Sequence, residues 1–400
     1  MFGAGPLVFC SHNGNSASAD GVAAWLEWAG FRFDPFAVLD AALDPHLSEY
    51  LVGHEVFAQI WGDHISWVFA PPGGGKTSLR ISVSRACWIG QETNRPFPIP
   101  YTPPFLSWGN ASPSLEDHLG ALAQAAAITL FLATAYRPHW FFRLDKHRQQ
   151  EVRNAFHQNL PGPLPYYLER CRQTGNVDTL RRALDPSFIL RDPPKSVTLL
   201  EWCDALDKGP NSFSPLSPPD RWHQMRTLLL DVLEFPVVYI LADGFDGAPE
   251  TAENPLSVVN CLASLIPHAE RWADERVFLK AFLPADTPNL FEKKFPQLIA
   301  PAYVSTVNWT PALLAEVIRR RVYVATEGAF GSLDAISSPA LRDVETLLAK
   351  VVPPVPREML VLTRQVLECH TQLHGTSGLI DERDVESAVE KYKKDTHKRG

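Results

Sequence analysis

The chain has 400 residues, of which 45% are apolar and 20% charged, and its formal net charge is −8. These values are typical of a folded, soluble protein with a sizeable core, long enough for two or three domains. The acidic balance does not favour nucleic acid as a partner. No apolar run reaches the roughly 18 residues of a membrane span, so a cytoplasmic protein without membrane contact is expected.

The first part of the chain predicts helices and one buried strand. Residues 31–61 have an amphipathic, helical period that is interrupted at Pro35 and Pro45. Residues 64–70 (HISWVFA) predict a buried strand, because they are rich in β-branched and aromatic side chains and are followed by two prolines. The predicted helices of this part are 21–30, 31–61 and 77–88.

The middle of the chain predicts further strands separated by helices. The prolines of FPIPYT, near residues 96–105, favour an edge strand or a loop. Residues 112–137 predict a long buried helix with Ser114 as its N-cap and acidic residues in its first turn. Apolar runs at 235–247 and 277–284 predict two more core strands. The remaining predicted helices are an insertion at about 138–220 and the segments 222–234 and 255–274.

After residue 284 the pattern predicts helices alone. Strands and helices that alternate up to about residue 300, followed by helices, indicate an α/β core of three layers and a helical lid. The expected domains are a helical lead-in at 1–50, the α/β core with its helical insertion at 51–300, and the C-terminal lid at 301–400.

The stretch APPGGGKTSLR, residues 70–80, ends like a phosphate-binding loop (P-loop, or Walker A motif). Such a loop needs a strand, a glycine turn whose N–H groups face the anion, and a helix whose positive end points the same way. Lys76 is expected to reach the β and γ phosphates, and the Thr77 hydroxyl to ligate Mg²⁺. Ala70 replaces the first glycine of the motif, and a small residue suffices there because the anion-binding N–H groups come later. The nucleotide contacts expected here are Pro72, Gly73, Gly74, Gly75, Lys76, Thr77 and Ser78. The alternative is an ordinary glycine-rich turn before Lys-Thr.

Residues 237–246, VVYILADGFD, form an apolar run that ends in carboxylates. This is the pattern of a Walker B strand, in which Asp243 would hold Mg²⁺ through water and Asp246 would orient or activate the attacking water. The alternative is that both acids only shape an Asp-Gly turn. Together with the glycine motif, the strand predicts a site for ATP and Mg²⁺.

Beyond these two motifs, about residues 30–392 resemble the P-loop ATPases of the AAA+ superfamily, especially its STAND-like and origin-recognition-like branches. LVGHEVFAQIW (51–61) is similar to the Val-Gly-Arg-Glu box near adenine, which implies nucleotide contacts by Gly53 and His54. VPREMLVLTRQVLECH (355–370) resembles the Pro-Arg start of a lid helix, which implies that Arg357 reaches the γ-phosphate. VFLKAFLP (277–284) lies where the family has its sensor 1 strand. VNWTPALLAEVIRRRV (307–322) resembles the segment that follows this strand in many bacterial members of the family.

The chain departs from the family pattern at four positions. His54 stands where the box usually has arginine, and Ala70 replaces the first loop glycine. Gly247 replaces the acid that usually ends the Asp-Gly-x-Asp-Glu pattern, and Gly244 stands where many AAA+ enzymes have the catalytic glutamate. These departures favour nucleotide binding over fast hydrolysis.

Other charged and metal-binding residue types are expected to be structural. A local ion pair is the alternative for Arg357, and Lys280 is expected to be a solvated lysine at a strand end. Asp286 is a weak candidate for sensor 1. The six cysteines are scattered, no cluster of cysteines and histidines has metal-binding spacing, and reduced thiols are expected.

The predicted function is an ATP-binding, slowly hydrolysing molecular switch. Nucleotide between the core and the lid would control self-association into a homo-oligomer or the binding of a partner protein. One alternative is a nucleotide-binding or inactive scaffold without turnover. A second is a DNA-associated ATPase loader, which the acidic net charge opposes.

Overall fold

The computed structural model describes residues 16–90, 92–104, 112–190, 192–208, 214–247, 251, 254–296 and 302–397. The chain divides into two compact units, one of residues 40–308 and the other of residues 1–39 together with 309–400. The expected lead-in is therefore split: its residues up to Leu39 belong to the same unit as most of the expected lid.

One sheet of five strands organises the unit of residues 40–308. Its order is β2-β3-β4-β1-β5, and every neighbouring pair is parallel. The strands are β1 Ser66–Ala70, β2 Phe97–Tyr101, β3 Val238–Ala242, β4 Val277–Pro284 and β5 Tyr303–Thr306. Four of the strands agree with the predicted ones, and β2, with its two prolines, lies at an edge as expected.

The described residues also form α-helices of four to 22 residues. They are α1 Ser16–Trp28, α2 Val56–Ile60, α3 Lys76–Cys87, α4 Leu115–Tyr136, α5 His139–Phe142, α6 Lys146–Asn159, α7 Leu164–Thr174, α8 Asp178–Leu184, α9 Ser196–Leu206, α10 Pro218–Thr227, α11 Pro255–Cys261, α12 Ala269–Asp274, α13 Pro288–Lys294, α14 Pro311–Ala325, α15 Val344–Ala349, α16 Pro356–His374 and α17 Glu382–His397. Short 3₁₀ turns occur at Leu47–Glu49, Ile266–His268 and Leu333–Ile336, and α10 continues as a π-helical turn over Leu228–Val232.

Helices and loops cover both faces of the sheet. On one face, Trp67 and Phe69 of β1 pack against Phe291 of α13, with ring centroids 4.9 and 6.3 Å apart. On the other, Tyr239 of β3 meets Trp61 after α2 edge to face. Because parallel sheets are buried on both faces, β1, β3 and β4 are buried along their whole length, and their residues are apolar except for Ser66 and Lys280. The unit is an α/β fold compatible with three layers.

Helix α4 confirms the expected long buried helix. Ser114 caps it, and the Ser114 and Asp117 side chains exchange hydrogen bonds with each other's backbone N–H in a capping box. The helix is long and apolar enough to cross a membrane, yet 72% of its most apolar 18-residue window is buried inside the protein. That burial is typical of a core helix in a soluble protein.

The second unit combines α1 with α14 to α17. The Trp25 indole N–H of α1 donates to the Gly378 carbonyl, 3.0 Å away, in the loop between α16 and α17. The Arg321 guanidinium of α14 donates to the Pro35 carbonyl, which holds the segment after α1. Helix α16 carries an apolar face, including Met359, Leu362 and Val366, that is fully buried.

Two predictions of secondary structure are wrong, and a third is correct only in part. Residues 31–55 form turns and one 3₁₀ turn instead of the expected amphipathic helix, because Pro35 and Pro45 interrupt it. A fifth strand, β5, follows residue 284, where the sequence predicts helices alone. The predicted helix 255–274 is divided into α11, a 3₁₀ turn and α12.

Candidate functional site

A turn rich in glycine follows strand β1 at the carboxyl edge of the sheet. The strand is buried along its whole length and ends at Ala70, and α3 begins at Lys76. The intervening residues 71–75, called the glycine loop below, turn back through a bond from the Gly74 N–H to the Pro71 carbonyl, 2.9 Å long. Gly75 at the N-cap of α3 has no side chain to satisfy the first-turn N–H groups, which makes this helix end able to bind an anion.

All three glycines of the loop are dictated by its geometry. Gly73 and Gly75 have φ of +73° and +91°, in the left-handed region that other residues rarely adopt. Gly74 has ordinary dihedrals, but a Cβ there would lie 2.8 Å from the Pro71 carbonyl oxygen. An ordinary turn needs one or two glycines. The geometry of this turn therefore requires glycine at each of three consecutive positions.

Lys76, the first residue of α3, follows the glycine loop and has a side chain that is only 5% exposed. Its ammonium donates to the carbonyls of Ala70 and Pro71, at 2.8 and 3.1 Å. It also pairs with the Asp246 carboxylate at 2.8 Å, and that carboxylate is 20% exposed. Two residues that the sequence places 170 positions apart are therefore in direct contact.

Asp243, at the end of β3, pairs with a residue that the sequence analysis missed. Its carboxylate accepts from the Arg80 Nε at 3.2 Å, and both side chains are less than 10% exposed. Arg80 follows Lys76 by four positions on α3, so the two lie on the same face of the helix. That spacing is the signal that could have identified Arg80. Asp243, which the sequence predicts to bind Mg²⁺, is therefore paired with Arg80 within the protein.

The backbone after β3 excludes a carboxylate at position 244. Gly244 has φ of +85°, and a Cβ there would lie 2.8 Å from the Thr102 Cγ2. At Gly247 a Cβ would meet the Gly244 oxygen at 3.5 Å, an ordinary contact. Gly244 is therefore required by this turn, whereas Gly247 is not.

Tyr101 and His118 form a buried, neutral pair next to the turn that follows β3. The Asp243 N–H donates to the Tyr101 carbonyl at 2.9 Å. The Tyr101 hydroxyl bonds the His118 Nδ1 at 2.5 Å, and the His118 Nε2 bonds the Cys261 carbonyl at 2.8 Å. Burial raises the pKa of Tyr101 and lowers that of His118, so both stay neutral near pH 7.

His54 has a structural position. Its ring is 5% exposed, its Nδ1 accepts from the Val56 N–H at 3.2 Å, and its Nε2 lies 3.1 Å from the Asn308 carbonyl. Because Nδ1 accepts, Nε2 carries the proton and donates to Asn308. Both ring nitrogens are thus satisfied within the protein. Gly53 beside it is exposed, with open space where a Cβ would lie.

The other predicted site residues are half-buried or exposed. Thr77 and Ser78 are half-buried in the first turn of α3, and Pro72 is exposed. Arg357 is exposed in the first turn of α16. Asp286, the weak candidate for sensor 1, is exposed after β4.

Lys280 contradicts the expectation of a solvated lysine, since its side chain is fully buried. Its ammonium donates to the carbonyls of Ile60, Gly62 and His64 at 2.6, 2.9 and 3.1 Å, and lies 4.4 Å from the centre of the Tyr239 ring. Burial lowers its pKa to about 7, against smaller opposing effects of Cys87 and Asp63. Only the fold brings these acceptors together, so the sequence gives no signal for them.

A cavity of about 310 Å³ lies beside this edge of the sheet. Its lining includes Arg80 from α3, Thr102 after β2, Gln124 from α4 and Asp185 after α8. The partner of Asp243 therefore borders a space large enough for a small polar group.

Comparisons of the chain with protein-family models, with curated proteins and with solved structures gave no match. What the site can bind is therefore inferred from its own side chains and backbone groups. A glycine loop, a helix N-terminus and a buried lysine can bind an anion, and two carboxylates lie at the same edge of the sheet.

Proposed function

We propose that the protein is an ATP-binding switch that hydrolyses ATP slowly, with the nucleotide phosphates on the glycine loop. Lys76 would contact the β and γ phosphates, and Thr77 with Asp243 would hold Mg²⁺. Asp246 would orient the attacking water. The bound state would favour self-association or a partner protein, as the resemblance to AAA+ ATPases implies.

The contact between Lys76 and Asp246 carries this proposal. A glycine turn alone could be structural, but here its lysine meets a carboxylate that follows a different strand. The strand order supports the same conclusion. One strand, β4, separates the loop strand β1 from the acid strand β3, so the carboxyl ends of both strands lie at the same edge of the sheet. Two strand spacings place the ends of β1 and β3 about 9 to 10 Å apart, which leaves room for phosphate and Mg²⁺.

Nucleotide binding would exchange the partners of Lys76. In the described state the ammonium is held by two carbonyls and Asp246. Phosphate oxygens are stronger acceptors than carbonyls and carry more charge than one carboxylate, so they can displace Asp246. The released carboxylate would then be available to orient water.

A specific observation favours a second candidate, a nucleotide-binding scaffold without turnover. Arg80 neutralises Asp243, which weakens the attraction of that carboxylate for Mg²⁺. Gly244 cannot be replaced by a catalytic acid without moving the turn. Both features lower the expected rate of hydrolysis, while the glycine loop keeps its ability to bind phosphate.

Thermal unfolding with and without Mg-ATP, combined with phosphate release, tests both candidates. We expect Mg-ATP to raise the melting temperature of the wild type. Lys76→Ala should weaken ATP binding by about 100-fold, because it removes a buried charge-assisted contact worth about 3 kcal/mol. Lys350→Ala, an exposed lysine of the second unit, is the control and should bind ATP like the wild type.

The outcomes separate the candidates. A shift with slow phosphate release supports the switch, and a shift without release supports the scaffold. If Mg-ATP leaves the wild type unchanged, or if Lys76→Ala binds ATP as tightly as the wild type, both candidates fail.

A further inference from the structure

A cluster of two histidines and two aspartates joins α16 to α17 in the second unit, and it has no part in the nucleotide site. His370 and His374 are four residues apart on α16, so their rings lie one above the other, with centroids 5.1 Å apart. Asp384 lies in the first turn of α17 and Asp381 just before that helix. One donor atom each from His370, His374 and Asp384 all lie within 4.8 Å of one another.

Two distances from the His374 Nε2 are longer than a hydrogen bond and fit the edges of a metal shell, while the donor atoms of His370, His374 and Asp384 span up to 4.8 Å and would move closer around an ion. Its Nε2 lies 3.4 Å from the Asp384 Oδ1 and 3.5 Å from the Asp381 Oδ2. A charge-assisted N–H···O⁻ bond is about 2.7 to 2.9 Å long. Donor atoms at the corners of a tetrahedron around Zn²⁺, with bonds of about 2.0 to 2.2 Å, are about 3.3 to 3.5 Å apart.

Two polar atoms at this place are buried without a hydrogen-bond partner among the described residues. They are the Nε2 of His370 and the Oδ1 of Asp384, on side chains that are both fully buried. A buried polar atom left without a partner costs about 1 to 3 kcal/mol. An ion bound by Asp384 Oδ1 would remove that cost for the carboxylate.

Helix capping explains part of the cluster but not these atoms. Asp384 Oδ2 accepts from the Asp381 N–H at 2.9 Å and bonds the His370 Nδ1 at 2.7 Å. Asp381 Oδ1 accepts from the N–H groups of Arg383 and Asp384. Each carboxylate therefore caps the helix with one oxygen and turns the other toward His374.

We propose that this cluster binds one divalent transition-metal ion of the zinc class, which fastens α16 to α17. His374 would bind through Nε2, Asp384 through Oδ1, Asp381 through Oδ2, and His370 through one ring nitrogen. Four protein donors make this a closed, structural site rather than one with an open position for catalysis. The sequence signal was His-x₃-His on a helix, which the sequence analysis overlooked because the carboxylates come from the next helix.

Zinc binding by the full chain, after dialysis against a chelator, tests the proposal. We expect calorimetry to give one Zn²⁺ per chain and the melting temperature to rise with added ZnCl₂. Co²⁺ should bind with the visible absorption of a tetrahedral site. His374→Gln should bind Zn²⁺ at least tenfold more weakly, since it loses one donor. It should still fold, because the His374 side chain is 39% exposed.

His147→Gln is the matched control, because this histidine is 84% exposed on α6 in the other unit. It should bind Zn²⁺ like the wild type. A circular dichroism spectrum establishes that His374→Gln is folded before its affinity is compared. The proposal is wrong if the wild type binds no Zn²⁺, or if His374→Gln and the wild type bind it equally. Neither result depends on ATP binding.

Discussion

Two buried lysines of the α/β unit, Lys76 and Lys280, are held in different ways near opposite ends of the sheet. Lys76 lies beyond the carboxyl end of β1, where it pairs with two carbonyls and the carboxylate of Asp246. Lys280 pairs in register with Ser66, at the amino end of β1, and is held by three carbonyls and the Tyr239 ring. Both are buried and bonded to backbone carbonyls, but only Lys76 has an acidic partner that solvent reaches.

The difference separates the lysine that we propose to bind a ligand from a structural one. Asp246 lies on a turn and is 20% exposed, so an incoming anion can take its place. The acceptors of Lys280 are backbone groups that bind the segment after α2 to the sheet, and no ligand can replace them without unfolding it. Burial alone does not distinguish the two lysines, whereas the type and exposure of their partners do.

The largest expected effect is that of the substitution Asp246→Asn, which tests whether Asp246 competes with a ligand for Lys76. It removes the charge that competes with phosphate for Lys76, and a charge-assisted hydrogen bond contributes about 1.5 to 3 kcal/mol. We expect ATP to bind roughly tenfold or more tightly, while phosphate release falls to background because water is no longer oriented. Equilibrium binding and single-turnover hydrolysis measure the two effects separately. Weaker ATP binding by the variant would mean that Asp246 helps to hold the nucleotide instead of competing with it.

A substitution of intermediate effect, Gly244→Ala, tests whether the turn after β3 sets the position of Asp246. The left-handed backbone and the contact with Thr102 should together destabilise the protein by about 2 kcal/mol. Urea unfolding measures this change, and nucleotide binding should weaken with it. Gly331→Ala is the control, because a Cβ there meets nothing within 4 Å. Equal stability of the two variants would mean that the turn adapts and does not fix Asp246.

The framework of this site could be predicted from sequence because its signals are local. Strand β3 is a continuous apolar run, β4 is apolar except for Lys280 and Pro284, and the three glycines next to Lys76 specify a turn before a helix. Strand β5 was not predicted, because it lacks such a local signal. Three of its four residues are exposed, so Tyr303–Thr306 contains no apolar run to detect.

The partners of charged groups could not be predicted, since chain neighbours do not determine them. Arg80 meets Asp243 across 163 positions, and Lys280 meets Ile60 across 220. A carboxylate after a strand looks the same in sequence whether Mg²⁺ or an arginine lies beside it. The strand order therefore decides which acid meets which cation, and the sequence patterns do not contain that order.

The smallest expected effect concerns the charge of Lys280. Its pKa in the folded protein is about 7, lowered by burial, against the usual value of 10.5. Between these values the unfolded chain binds a proton that the folded protein does not, so stability should rise with pH. We expect the wild type to gain about 1 kcal/mol per pH unit between pH 7 and 9 relative to Lys280→Met, measured by urea unfolding at each pH.

Below pH 7 both states bind the proton, and the two proteins should change in parallel. The three carbonyls and the Tyr239 ring favour the charged ammonium and oppose the effect of burial. If the wild type and Lys280→Met also run parallel between pH 7 and 9, those acceptors keep Lys280 charged. Lys280 would then resemble Lys76 in charge, and the contrast between the two lysines would rest on their partners alone.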